Sequence, residues 1–187
     1  MTVFRGSPRR PGADLAPVAE VVSDRVWRAM IDSSRLLGEM GIRHALVGGL
    51  AVGAHGFARA TKDVDFLVDD SAWIEKESGL VVMRAGLPVQ AHGVPVDTLS
   101  VRTDEKHLFA AIETPEISHG VPVAPVAAVV YMKLVSPRAK DRLDVLELVR
   151  SGIDVESVRV YLDSHAPRLR AKFDEAVATA RAEEDAE

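Results

Sequence analysis

Residues 45–68 read Ala-Leu-Val-Gly-Gly-Leu-Ala-Val-Gly-Ala-His-Gly-Phe-Ala-Arg-Ala-Thr-Lys-Asp-Val-Asp-Phe-Leu-Val. No other stretch of the chain narrows the choice of folds as much. An apolar strand runs into a glycine pair, a short helix of small residues follows, and a second strand carries Asp63 and Asp65. Strand side chains alternate between faces, so Asp63 and Asp65 share one face and Val64 takes the other. The apolar residues Val64, Phe66, Leu67 and Val68 predict a strand buried on at least part of both faces. Carboxylates in such a strand are costly to bury without compensating cations. A metal ion or basic side chains must therefore stand beside them.

The 187 residues are 47% hydrophobic, enough for one sizeable core or one domain with a small helical cap. The net charge of −5 argues against a protein that coats nucleic acid through bulk electrostatics, though not against a local basic patch. Without cysteine there is no disulfide framework, thiol nucleophile or thiolate zinc site, as suits a reducing compartment. No apolar run approaches the roughly 20 residues of a membrane span, and the N-terminus lacks a signal-peptide core. A soluble, cytoplasmic protein is expected.

Residues 1–16, with Arg5, Arg9 and Arg10, read as a flexible basic arm. Val22, Val26, Met30, Leu37 and Met40 follow helical spacing in one helix from about Val18 to Met40, which Gly41 ends. Trp27, Met30 and Leu37 belong to its core stripe. Arg43–Val47 is the first strand and Gly49–His55 a short helix stopped by Gly56. After the Asp63–Val68 strand, Asp69, Asp70 and Ser71 cap a brief helix through Glu77. Strand candidates follow at Leu80–Arg84, Pro88–Gln90, Val94–Val101 and Val121–Val123, with a short helix at His107–Ile112. A helix over Pro125–Val135 breaks at Ser136-Pro137. Helices over Arg138–Ser151, Val155–Ser164 and Pro167–Glu184 close the chain, the last with a solvated acidic tail of Glu183, Glu184, Asp185 and Glu187. The expected architecture is α/β (α+β), with an α/β core over 17–124 and a helical part over 125–187.

Three features carry chemistry. Gly48-Gly49, between strand and helix, lets backbone N–H groups approach an anion, although glycines at such turns more often serve backbone geometry. Neither a Walker A ending nor a spaced dinucleotide fingerprint accompanies the pair. Asp63-x-Asp65 supplies oxygen ligands for Mg²⁺, which usually shares its site with phosphate oxygens. The plainer alternative is ion pairing with Arg59 and Lys62. Asp97, inside the apolar strand after Val94, adds a third carboxylate if its strand neighbours the first. The six histidines include no pair at four-residue spacing, which argues against a histidine zinc site, and His55 reads as structural.

The order of these features resembles the nucleotidyltransferase superfamily: a Gly-Gly or Gly-Ser turn, Asp-x-Asp, then a third Asp. The strings Gly48-Gly49-Leu50-Ala51-Val52, His55-Gly56, Arg59-x-Thr61 and Asp63-Val64-Asp65 look like its bacterial branch that includes AbiEii-type toxins of type IV toxin–antitoxin systems. Tyr131-Met132-Lys133-Leu134 and Arg138-Ala139-Lys140-Asp141-Arg142-Leu143-Asp144 resemble the later lysine and Asp-x-x-Asp segment of that branch. The resemblance covers roughly residues 45–145. Many superfamily members carry serine where Gly49 stands.

The resemblance implies a nucleotidyltransferase-like mixed sheet with flanking helices, and a metal-dependent transfer of a nucleotidyl group from an NTP to an acceptor hydroxyl. Gly48 and Gly49 would cradle the triphosphate, with Arg59 and Thr61 beside them. Asp63, Asp65 and Asp97 would hold Mg²⁺ or Mn²⁺, with Asp97 as the alternative base. Lys133 would contact the phosphates, and Asp141 or Asp144 would sit at the same cleft. The acceptor implied is RNA, a tRNA end above all, or a protein hydroxyl, and a cognate antitoxin would be a partner.

Read from the residues alone, Lys133 suits either a phosphate contact or a snorkelling surface lysine. Arg59 suits an ion pair with Asp63, and Asp141 with Asp144 an ion-pair cluster on one helix face. Two alternatives stay open: a transferase acting on a small molecule such as an aminoglycoside-like antibiotic, and a non-catalytic nucleotide-binding module on the same fold. A basic cleft lined by Lys133, Arg138, Lys140 and Arg142 favours nucleic acid over a cationic drug.

Overall fold

The computed structural model describes residues 12–184. The basic side chains of the expected N-terminal arm and the end of the acidic tail, Asp185 and Glu187, lie outside them. Residues 12–15, the described end of that arm, are anchored. Leu15 is buried, its N–H donates to Ser118 Oγ at 2.9 Å, and the Asp14 N–H donates to the Ala54 carbonyl at 2.8 Å.

The first half alternates helix and strand: α1 Ala16–Val21, α2 Asp24–Glu39, β1 His44–Val47, α3 Gly48–Ala54 and β2 Val64–Val68. Then come β3 Trp73–Glu75, β4 Val81–Met83, β5 Gln90–Ala91, β6 Val94–Ser100, α4 Phe109–Glu113, β7 Glu116–Ser118 and β8 Val121–Val123. The helices α5 Val126–Val135, α6 Ala139–Arg150, α7 Val155–His165 and α8 Arg170–Glu184 complete the chain.

Six strands form one mixed sheet in the order β5-β6-β2-β1-β8-β7. β1 runs antiparallel to β2, whereas β6 lies parallel to β2 and β8 parallel to β1. β3 and β4 form a separate hairpin. The two central strands are apolar on both faces because both are covered. His44 on β1 bonds Ser34 of α2 at 2.8 Å, and its ring meets Phe66 of β2 edge-on. α3 packs on the other face, against β1 and β2. α5 joins α3 to the helical part, contacting α3, α6 and α7, and α6 packs along α8.

The alternating α/β core and its helical sequel follow the sequence expectation, with three local corrections. The long first helix is two helices, because Ser23 takes an extended backbone and caps α2 through the Val26 N–H. The brief helix expected after Asp69 is a single 3₁₀ turn, Asp70–Ala72, which Asp69 caps before the chain turns into β3. β7 had no alternating pattern to announce it; it is an edge strand held by pairing with β8. His55 is structural: it is buried, and its Nε2 lies 2.8 Å from the Ala124 carbonyl. Among the described residues, no helix is long and apolar enough to cross a membrane.

Candidate active site

The glycine turn and the Asp-x-Asp strand meet directly. β1 pairs with β2 so that Val47 faces Asp65, and the next residue, Gly48, opens α3 at φ +66°. A Cβ on Gly48 would fall 1.9 Å from Asp65 Oδ2, so only glycine supplies both the left-handed turn and room for the carboxylate. At Gly49 a Cβ would meet Thr61 Oγ1 at 3.2 Å and an Arg59 terminal nitrogen at 3.4 Å. Gly48, Gly49, Arg59 and Thr61 therefore stand together around the start of α3.

β6 brings the third aspartate. Its parallel register places Asp97 beside Asp65. By strand alternation Asp63, Asp65 and Asp97 share the face that α3 covers only in part. On β6 that face, formed by Pro95, Asp97 and Leu99, is exposed. The carboxylates thus line an open surface at the mouth of α3, away from the cavities of about 380, 510 and 860 Å³ elsewhere in the molecule.

These carboxylates are poorly compensated. Asp63, just before β2, accepts one hydrogen bond, from Thr61 Oγ1 at 2.5 Å. Asp65 and Asp97 take no side-chain partner among the described residues. Burial, then the charges of Asp63 and Asp97, push the Asp65 carboxyl up to about 6, against the pull of Lys133 and Arg138. Among the described residues, no group of three or more His, Asp or Glu side chains is arranged to hold a metal ion. The three aspartates are electrostatic neighbours and not a preassembled cage.

Behind them lies a second, buried cluster. Lys133 on α5 and Asp141 and Asp144 on α6 are buried, and the lysine Nζ reaches Asp141 Oδ1 at 2.7 Å and Asp144 Oδ2 at 2.8 Å. Arg59 grips Asp144 with two hydrogen bonds, at 2.7 and 2.8 Å, and donates to the Ala60 carbonyl at 3.3 Å. The ion pair expected between Arg59 and Asp63 is replaced by this one, because α6 presents a buried carboxylate that can accept both guanidinium donors. Ser136 Oγ and Arg138 Nε close around Asp141 Oδ2 at 2.5 and 2.6 Å. Burial alone would raise both carboxylates. For Asp141 the hydrogen bonds from Lys133, Ser136 and Arg138 prevail and hold it down at about 2. For Asp144 those from Arg59 and Lys133 likewise prevail.

Sequence reasoning placed Lys133, Asp141 and Asp144 at one locus but missed Ser136 as a partner of Asp141. The Ser-Pro break was its signal: a hydroxyl at a helix break commonly seeks a nearby side chain or backbone group.

No family model matches the chain, and no curated protein matches it. Among solved structures it is similar to an antigenic nucleotidyltransferase-like protein from Paracoccidioides brasiliensis. The two are 14% identical, with a TM-score of 0.44 over 82% of this chain and 94% of that one.

Proposed function

We propose that the chain is a metal-dependent nucleotidyltransferase that moves a nucleotidyl group from an NTP to an acceptor hydroxyl and releases pyrophosphate. The observation that carries the reading is the in-register pair Asp65 and Asp97, left without partners on an open face beside the Gly48 turn. A protein that pairs its buried Asp141 and Asp144 so thoroughly has no structural use for three crowded aspartates that share a single hydrogen bond, from Thr61 to Asp63.

The donor set suits a hard divalent cation. Mg²⁺ commonly binds through one or two carboxylates and completes its shell with water and substrate phosphates, so a closed protein cage is not required. Asp63 and Asp65 would hold it, with Asp97 completing the set, and the cation would neutralise charge developing on the phosphate oxygens. Asp97, the most exposed of the three, can take the proton of the attacking hydroxyl. The Gly48-Gly49 turn brings backbone close to the phosphates, and catalysis rests on positioning and electrostatic stabilisation.

For the acceptor we propose RNA, as the AbiEii-like strings suggest. Arg138 is exposed at the start of α6 and its charge is felt by Asp63 and Asp65, so it stands where a polyanion would approach, whereas Arg142 lines the cavity beside α8. Labelled NTPs incubated with the protein, divalent metal and total RNA should label RNA. Label on lysate protein or an aminoglycoside instead would reassign the acceptor. Transfer that persists in an Asp63→Ala/Asp65→Ala double variant would refute the mechanism.

A further inference from the structure

Two cations act on Asp65, and the structure gives them different freedoms. Lys133 is buried between Asp141 and Asp144, with 8% of its side chain exposed. Arg138 stands just before the first turn of α6 with 72% of its side chain exposed. Its Nε alone is engaged, by Asp141 Oδ2 at 2.6 Å and Ser136 Oγ at 3.3 Å. Its two terminal guanidinium nitrogens meet no partner among the described residues. Nearby Arg59 is the opposite case, with Nε and both terminal nitrogens bonded to Asp144 and the Ala60 carbonyl.

A guanidinium held at Nε keeps its two NH₂ groups on the far side as a fork, the geometry that matches two oxygens of a phosphate. The tether is itself rigid. Asp141 is fully buried and also bonded to Lys133 and Ser136, so the fork rests on a fixed base. Asp63 and Asp65 both act on the Arg138 charge, which places the fork within electrostatic reach of the acidic face.

We propose that Arg138 is the polyphosphate-binding cation of this cleft, its fork preset by Asp141, while Lys133 serves as a positioning residue that holds Asp141 in place. This inference rests on the nucleotide-transfer reading for its location, but it makes a separate claim about one side chain. The ligand class is a di- or triphosphate chain, which the Arg138 fork would grip beside the carboxylates that would hold a divalent metal.

The test is calorimetric titration of inorganic tripolyphosphate, and separately of each NTP, into the full chain with Mg²⁺. Arg138→Gln should weaken tripolyphosphate binding by about tenfold to a hundredfold, the effect of losing a charge-assisted contact. Arg138→Lys should restore only part, because an ammonium lacks the fork. Arg142→Gln, which removes an exposed charge one turn along α6, should change binding less than about threefold. Unchanged thermal melting of Arg138→Gln would show that the loss is local. Binding by Arg138→Gln equal to wild type overturns the assignment. So does an equal loss in Arg142→Gln, which would mean diffuse attraction. Wild type that takes tripolyphosphate but no NTP sinks the nucleotide reading and leaves Arg138 standing. Wild type that takes neither sinks both.

Discussion

Two groups of aspartates lie close together in this protein and are treated in opposite ways. Asp141 and Asp144 are fully buried and well paired: Lys133 bridges the two, Arg59 grips Asp144 and the Arg138 Nε bonds Asp141. Asp63, Asp65 and Asp97 stand on a partly open face, and burial, then crowding by the other two, pushes Asp65 upward in pKa. The first group is satisfied and reads as architecture. The second is electrostatically unfavourable as it stands, and folding alone gives no reason to keep it. Contrasted carboxylates of this kind separate a positioning network from a site that awaits a charged ligand.

The largest effect should come from deleting the open group. The Asp63→Ala/Asp65→Ala variant should lose label transfer by about a thousandfold or more while melting close to wild type, since the repulsion it removes offsets the single Thr61–Asp63 hydrogen bond it loses. Loss of transfer together with a collapse in melting temperature would blur the contrast between the two groups.

Deleting the cation of the buried group should do the reverse. Lys133→Met leaves two buried carboxylates short of a partner and should destabilise the fold by about 3–5 kcal/mol in urea unfolding. A change below about 1 kcal/mol would show that the network is not architectural.

Gly48→Ala probes where turn and site touch. The positive φ and the overlap with Asp65 Oδ2 should destabilise by about 1–3 kcal/mol. A second change, Asp65→Gly, should relieve the overlap but leave the strain of φ, so about half the loss should return.

The smallest effect is the most diagnostic, because the groups should give pH slopes of opposite sign. Asp141 has a folded pKa near 2, below its ordinary 3.8, so its stabilisation is complete above about pH 4 and fades as pH falls toward 2. Asp65 has a folded pKa near 6, above its ordinary 3.8, so the fold is favoured most below about pH 4 and loses stability as pH rises through 6. Asp65→Asn should remove that second slope and stabilise the protein at pH 8 by roughly 1–3 kcal/mol. An unchanged slope between pH 4 and 6 would place the repulsion elsewhere.

Much of this was legible in the chain. The glycine pair, the short helix and the Asp-x-Asp strand fall where the pattern puts them, because local backbone preference and a period of two decide them with no long-range help. The start of α2 was not legible: Ser23 interrupts an apolar spacing that reads as continuous. The stretch after Asp69 went astray because its caps are real but close only a single turn. Lys133, Asp141 and Asp144 were recognisable as a charged locus, but not as a buried network in which Asp144 pairs with Arg59.

By itself the sequence determined which residues share a face and where the strand turns on a glycine pair, since both follow from alternation and from sterics within a few residues. The tertiary structure alone decided who neighbours whom. Asp97 reaches Asp65 because β6 takes the place beside β2, and Arg59 meets Asp144 across 85 residues because α6 docks behind α3 through α5. Charge compensation depends on those distances. Hence the same residue type is sealed in ion pairs on α6 and left open for chemistry on β2 and β6.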